Sequence, residues 1–292
     1  MREHAGWVGR TRCPHADAWR LNFGPQKVGK WSWAMRYSRL NSFALFAAFC
    51  TLLLVMSGAA ITSAHDRPKP ALHATAGAAD ILLVGGLCIW LTRAGTAAGV
   101  ARVGWSGLAV LLADAGLARY GTLHACLSAV AFVAVALIAR FTSPSWQRDP
   151  EHVRDYGWPS LRFLSKATAF LVATQVGFGA GFRHRGVGVM PHLLGALLVA
   201  IFIMIVGAFV TTQFPKHPVL RPMAVAFMVI SGVQVLLGFG VFLLRMVQPA
   251  WQPAFLAISV AHVAIGSLTF AFSVMLATEI QRTVLPPAPQ TA

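Results

Sequence analysis

The chain has 292 residues, of which 57% are hydrophobic and only 11% are charged, and its formal net charge is +15. A soluble domain carries about 25% charged residues, so this composition excludes an ordinary soluble enzyme and indicates an integral membrane protein. The positive charge is then expected to reflect topology and contact with anionic lipid. The sequence has no basic helix interleaved with aromatic residues, so nucleic-acid binding is not expected.

Apolar runs of about 20 residues predict eight membrane-spanning helices. Pro, Gly, Arg and Lys mark the breaks between them, as expected for loops. Residues 1–39 before the first span form a basic cytoplasmic extension, with Met35 as an alternative start of the chain. The predicted spans are 40–62, 72–92, 101–118, 122–142, 161–181, 190–212, 219–244 and 254–277.

The distribution of Lys and Arg predicts that both termini are cytoplasmic. Only six of the 24 Lys and Arg residues fall in loops on the opposite side of the predicted membrane. By the positive-inside rule, that side is the outer one. The six residues are Arg67, Lys69, Arg119, Arg183, Arg185 and Arg245.

One histidine recurs in each even-numbered span: His73, His124, His192 and His262. Even-numbered spans run from outside to inside, so the four imidazoles are expected at a similar depth near the outer face. A small residue follows each histidine four positions later, on the same helix face. These residues leave room for a flat macrocycle held edge-on, and they are Gly77, Ser128, Ala196 and Gly266.

The odd-numbered spans carry a matching pattern. Gln175 and Gly179 are four residues apart in the fifth span, and Gln234 and Gly238 repeat the spacing in the seventh. Asp114 begins a weaker version in the third span. Internal symmetry of this kind is common in membrane proteins. The predicted fold class is therefore an all-α integral membrane protein with eight transmembrane helices, arranged as two pseudo-repeated four-helix bundles (40–142 and 161–278), a linker (143–160) and a tail (279–292).

Ionisable residues inside a membrane are functional candidates by default. Imidazole is a common axial ligand of haem iron, and helix bundles hold such ligands on facing helices. We predict two haem sites, one between His73 and His124 and one between His192 and His262. A proton path or ion coordination through the same histidines is the alternative, although neither requires the small neighbouring residues.

Several segments resemble haem A synthase, and the similarity covers about residues 39–280. "QVGFGAGFRHRGVGVMPHLLGALLV" (175–199) and "AHVAIGSLTFAFSVMLA" (261–277) are similar to the second half of that family. "LHACLSAVAFVAVALIARFTSPSW" (123–146) resembles its fourth helix and the following loop. "RLNSFALFAAFCTLLLVMSGAAITS" (39–63) is similar to its first helix.

The family oxidises a methyl group of haem O to the formyl group of haem A, which terminal oxidases use. The resemblance implies haem b as the cofactor between His192 and His262, and haem O as the substrate, with its iron facing His73 and His124. It also implies residence in the inner (plasma) membrane, with haem sites toward the outer face. The implied partners are haem O, haem A, the lipid bilayer, haem O synthase, assembly factors of terminal oxidases and an unidentified electron donor.

The segment before the sixth span also matches the family. Arg183 and His184 correspond to its Arg-His pair, and the resemblance implies a role in cofactor binding, with Arg183 holding a haem propionate by a charge-assisted bond. A solvated arginine is the alternative. Gly266 is expected beside the cofactor because it shares a helix face with His262.

The first outer loop departs from the family. It is shortened, it lacks a P-D-W-P segment, and Ala74 rather than Arg follows His73. No glutamate lies between Glu3 and Glu151, whereas the family's loop glutamate is associated with oxidation. The substitute acid–base residues we consider are Asp114, then Asp66, then Asp80.

The missing glutamate leaves three functional hypotheses. The first is a haem A synthase-like oxidoreductase. The second is a non-catalytic bis-histidine haem protein, either a b-type cytochrome or a haem carrier for oxidase assembly. The third is a haem-free transporter or sensor that uses the histidines as a proton path.

Overall fold

The computed structural model describes residues 30–64, 70–155, 158–247 and 253–286, with side chains from residue 37 onward. Within these ranges the chain is all-α apart from two short strands, β1 (Val153–Arg154) and β2 (Val284–Leu285), which pair in parallel. The helices are α1 (Lys30–Ser63), α2 (Pro70–Arg93), α3 (Ala98–Gly116), α4 (Gly121–Thr142), α5 (Leu161–Arg183), α6 (Val189–Gln213), α7 (Leu220–Val247) and α8 (Pro253–Thr283).

Seven of the helices are long and apolar enough to cross a membrane, which indicates a multi-pass membrane protein. The exception is α5, for which a span was predicted at 161–181. Its sequence includes Arg162, Lys166 and Gln175, which lower its hydropathy. Its buried residues include Ser165 and Thr168, so part of its polar content faces other helices rather than lipid.

Two helices extend more than three residues beyond their predicted spans. α1 begins at Lys30 rather than at residue 40, so it extends into the predicted basic extension. The rest of that extension lies outside the described residues. α8 runs to Thr283, six residues beyond the predicted end of the eighth span, and it therefore includes the beginning of the predicted C-terminal tail.

Each set of four consecutive helices closes into a ring of neighbours. In the first ring α1 packs against α2 and α4, and α3 packs against the same two helices. In the second ring α5 packs against α6 and α8, and α7 packs against the same two. Even-numbered helices therefore occupy opposite corners of each ring. The rings meet where α1, α4, α5 and α8 contact one another.

Small residues allow close helix packing in the first ring. A Cβ atom added to Gly107 of α3 would lie 2.8 Å from Cβ of Ala134 in α4. One added to Gly104 would lie 3.0 Å from the Leu91 side chain in α2. Membrane helices associate through this kind of close packing because lipid gives them no hydrophobic driving force.

A buried ion pair joins the two rings at the end that carries the 143–160 linker. Nη2 of Arg140 in α4 donates to Oε2 of Glu279 in α8 at 2.6 Å. The Trp146 ring lies close to two guanidinium groups, 5.1 Å from that of Arg140 and 4.3 Å from that of Arg282. We call this set of residues the linker-end junction.

We expect the substitution R140M to destabilise the protein strongly, because it leaves the Glu279 carboxylate buried without its cation. Loss of one partner of a buried ion pair typically costs about 3–5 kcal/mol. The thermal midpoint of the detergent-solubilised protein measures this effect. The double variant R140M/E279L should recover part of the loss, and R148M, at an exposed position, serves as the control. Equal midpoints for R140M and R148M would show that the pair does not stabilise the junction.

Candidate functional site

The structure brings His73 of α2 and His124 of α4 together across the first ring. Their ring centroids are 6.0 Å apart and the ring planes are nearly perpendicular, at 86°. Both residues lie in the first turns of their helices, which begin at Pro70 and Gly121. The two imidazoles therefore meet at one end of the first bundle; we call them the first pair.

The second ring holds an equivalent arrangement. The centroids of His192 in α6 and His262 in α8 are 6.3 Å apart, with an interplanar angle of 85°. His192 lies three residues after the start of α6, but His262 lies nine residues after the start of α8, because α8 begins at Pro253. We call these two imidazoles the second pair.

Each imidazole of the second pair contacts an amide on the preceding odd-numbered helix. Nε2 of Gln175 in α5 lies 2.9 Å from Nδ1 of His192 and also donates to the His192 backbone oxygen at 2.8 Å. Nε2 of Gln234 in α7 lies 3.3 Å from Nε2 of His262. The recurrent glutamines of the sequence therefore orient the histidines.

The first pair follows the same plan with different side chains. Oγ of Ser57 in α1 lies 2.7 Å from Nδ1 of His73. Oδ1 of Asp114 in α3 lies 2.6 Å from Nδ1 of His124, and Oδ2 of the same carboxylate accepts a hydrogen bond from Oγ of Ser128 at 2.7 Å. Asp114 is thus a partner of His124, and Ser128 is bound to it rather than simply leaving space.

A glycine lies against three of the four imidazoles. A Cβ atom added to Gly58, Gly179 or Gly238 would lie 3.2, 3.0 or 2.9 Å from Cε1 of His73, His192 or His262, respectively. These glycines are on α1, α5 and α7, the helices that also carry Ser57, Gln175 and Gln234. Each of these odd-numbered helices therefore supplies a polar contact to the imidazole and a surface without a side chain.

The small residues on the histidine helices have differing surroundings. Gly77 has open space within 4 Å of a Cβ position, as the macrocycle prediction requires. A Cβ atom on Gly266 would instead lie 2.9 Å from Nε2 of Gln234. Gly266 thus makes room for the glutamine that contacts His262, and a direct contact with a cofactor stays a prediction.

Arg183 connects the second ring to the first at the histidine end. Its Nη1 donates to the Ala59 backbone oxygen, Oγ1 of Thr62 and Oγ of Ser63 at 3.0, 2.8 and 2.9 Å. These acceptors lie in the last turn of α1. The structure therefore shows Arg183 holding the end of α1 against the end of α5, and its predicted contact with a propionate stays a prediction.

His184 follows α5 and packs on the first residue of α4. A Cβ atom on Gly121 would lie 2.6 Å from Cε1 of His184, so this contact requires glycine. Burial lowers the pKa of His184 below its ordinary value of 6.5, and the charges of Arg183 and His124 lower it further. His184 is therefore a neutral packing contact between the two rings at neutral pH.

We expect the protein to lose stability as the pH falls below about 6.5, and His184 to account for part of that loss. Below this pH the unfolded chain binds a proton at His184 more readily than the folded protein does, so protonation favours unfolding. Thermal midpoints measured between pH 7.5 and 5.5 should fall less steeply for H184Q than for the wild-type protein. H152Q, at an exposed loop position, should retain the wild-type slope; an unchanged slope in H184Q would contradict the assignment.

Of the two other predicted carboxylates, the structure describes Asp80 alone. Asp66 and the neighbouring His65 lie outside the described residues, so the structure does not place them. Asp80 is buried in the first ring, where its Oδ1 accepts a hydrogen bond from Oγ1 of Thr51 at 3.1 Å. Asp80 thus links α2 to α1 and has no contact with either histidine pair.

Sequence reasoning missed Ser57, Gly58 and the contact between His184 and Gly121. Ser57 and Gly58 are adjacent in sequence, so the first helix does not show the four-residue spacing of Gln175 with Gly179. What the first, fifth and seventh helices share is a glycine that lies opposite the histidine of the next helix. Alignment of the odd-numbered helices on that glycine would have identified Gly58.

Each pair offers two imidazoles to a metal. Among the described residues, no group of three or more His, Cys, Asp or Glu side chains is arranged to hold a metal ion. The four histidines are grouped two by two at the same end of the two rings.

No protein-family model matches the chain, and no curated protein sequence is significantly similar to it.

Proposed function

We propose that the chain is a membrane haem protein with two bis-histidine sites, acting as an oxidoreductase of the haem A synthase type. The observation that carries this proposal is the presence of two imidazole pairs in equivalent places, with centroids 6.0 and 6.3 Å apart and nearly perpendicular planes. Histidines that served only to join helices would not need to face one another in both rings.

The separations suit two imidazoles that bind one metal ion from opposite sides. A metal–imidazole bond is about 2.0 Å long, and the ring centroid lies roughly 1.2 Å beyond the bonded nitrogen, so two opposed ligands have centroids roughly 6 Å apart. Both pairs have this separation. The fit supports iron held between two imidazoles, with a macrocycle supplying its remaining ligands.

The contacts of the first pair also suit ligation. Metal-bound imidazoles usually donate a hydrogen bond from their second nitrogen to an oxygen that fixes the ring. Nδ1 of His73 and Nδ1 of His124 each lie beside a side-chain oxygen, that of Ser57 and that of Asp114. In the second pair the ring nitrogens contact the amide nitrogens of Gln175 and Gln234, which orient the rings by donating to them.

Two roles follow for the two halves. A haem b held by His192 and His262 would supply one-electron or oxygen chemistry when bound. His73 and His124 would bind the iron of haem O and orient the macrocycle, with Gly77 leaving space beside it. In this proposal the two rings are pseudo-repeats, and α5 also crosses the membrane, which makes eight membrane-spanning helices. Both termini are then cytoplasmic, and the pairs lie toward the outer face of the inner membrane.

The position of Asp114 favours a second candidate function, a non-catalytic haem protein. Its two carboxylate oxygens lie beside His124 and Ser128, so its contacts are those of a residue that positions an imidazole. The first loop also lacks the family's glutamate. A b-type cytochrome, or a haem carrier for oxidase assembly, would need the imidazole pairs without an acid–base group.

Co-expression with a haem O synthase in a host that lacks haem A synthase separates the two functions. Extracted pigments should contain haem A or its alcohol intermediate if the chain is an oxidoreductase, and H124A should abolish this product. Bound haem without either product would reject the enzyme and support the second function. Protein that contains no haem would reject both.

A further inference from the structure

The two pairs differ in the charge of the groups that contact them. In the second pair both imidazoles contact neutral amides, those of Gln175 and Gln234. In the first pair His73 contacts the hydroxyl of Ser57, whereas His124 lies 2.6 Å from the carboxylate of Asp114. The first pair therefore has an anionic partner and the second pair has none in direct contact among the described residues.

Asp114 is well placed to exert this charge on the ring. It is 5% exposed, and a buried charge interacts more strongly with its neighbours than one in water. Ser128 donates to the second carboxylate oxygen at 2.7 Å, which fixes the carboxylate plane against His124. A carboxylate this close to a ring nitrogen raises the basicity of the imidazole as a metal ligand.

A more basic ligand and an additional negative charge both stabilise ferric over ferrous iron. Hydrogen bonding around the axial ligand and burial are among the means by which a protein sets the potential of a haem. The amides of Gln175 and Gln234 orient their imidazoles without adding charge. The two sites should therefore differ in potential although both offer two histidines.

We propose that Asp114 is a positioning residue that makes the first pair the low-potential site, so that haem at His73 and His124 has a lower midpoint potential than haem at His192 and His262. This inference rests on the proposed haem binding. In haem-loaded protein, a single added electron would then reside mainly at the second pair, and haem at the first pair would stay ferric.

Potentiometric titration of the purified haem-loaded protein, followed by the haem absorption bands, tests the inference. The wild-type protein should show two components. The near-isosteric variant D114N should raise the lower potential by at least the equivalent of a tenfold change in ferric preference, about 59 mV for one electron, and leave the upper one unchanged. The converse variant Q175E, which brings a carboxylate to His192, should lower the upper potential.

A matched control is available in the same ring. Asp80 is a buried carboxylic residue that is bonded to Thr51 and contacts neither pair, so D80N should leave both potentials unchanged. If D114N does not retain haem, Q175E decides, because an unchanged upper potential in Q175E would overturn the inference. Wild-type protein that loads haem only at the second pair would also overturn it, because the first pair would then have no potential to lower. Two haems whose potentials respond to neither substitution would overturn it while leaving haem binding intact, whereas wild-type protein without haem would overturn the proposed function itself.

Discussion

The H262A variant is expected to lose the contribution of the second pair to the reduced b-type absorption band of the purified protein, and H192A is expected to lose it as well. Each substitution removes one of two imidazoles whose centroids are 6.3 Å apart, and the remaining ring is a single axial ligand. The absorption spectrum of dithionite-reduced protein, normalised to protein concentration, measures the loss. The methyl side chain of alanine cannot bind iron, so the band should fall to the part that haem at the first pair contributes.

Histidine outside the pairs provides the control for this experiment. H152A changes an exposed loop residue and should retain the wild-type spectrum. A wild-type band in either H192A or H262A would show that these residues are not ligands. Loss of the band in H152A as well would indicate that histidine substitution unfolds the protein, and a matched melting profile distinguishes that outcome.

G238A is expected to weaken haem binding at the second pair roughly tenfold or more. Its Cβ atom would lie 2.9 Å from Cε1 of His262, so the imidazole must move away from its present position. Overpacking of this kind typically costs about 1–3 kcal/mol, and about 1.4 kcal/mol corresponds to a tenfold change in affinity. Haem titration into protein purified from haem-depleted cells measures the change.

The same helix supplies a matched control for G238A. Gly232 lies six residues earlier in α7, and a Cβ atom there would meet nothing within 4 Å. G232A makes the same chemical change in the same helix and should bind haem as the wild-type protein does. Equal affinities for G238A and G232A would contradict the view that glycine is required beside the imidazole.

The sequence was sufficient to predict the helical architecture and the groups that meet in it. Apolar runs separated by Pro, Gly and charged residues predicted eight membrane-spanning helices; eight helices are present in the described residues, and seven of them are long and apolar enough to cross a membrane. Whether α5 crosses a membrane was less predictable. Its Lys166 and Gln175 lower its hydropathy. Lys166 is exposed, whereas Gln175 contacts His192 of α6, and the apolar pattern alone did not distinguish these two surroundings.

The grouping of the histidines was predictable for a physical reason. Helices joined in sequence by short loops pack as neighbours, so in a closed ring of four the even-numbered helices occupy opposite corners. His73 therefore faces His124, and His192 faces His262. Their metal-binding role stays a prediction, since it depends on a ligand that the protein chain alone does not supply.

The partners of the imidazoles were harder to predict. Asp114 was considered as an acid–base residue because of its depth in the third span, but side-chain geometry places it beside His124 and Ser128. Arg183 was expected to hold a propionate, which stays a prediction, and its contacts with the end of α1 were not foreseen. Such contacts join residues far apart in sequence, and no local pattern indicates them.

The haem content of the purified protein tests the central claim most directly. Extraction and pyridine haemochrome analysis of the wild-type chain, quantified against protein concentration, give both haem type and stoichiometry. Two equivalent imidazole pairs predict haem b at the second pair and a second haem, substrate or resident, at the first, with up to two haems per chain. A purified, folded protein that contains no haem would contradict the account.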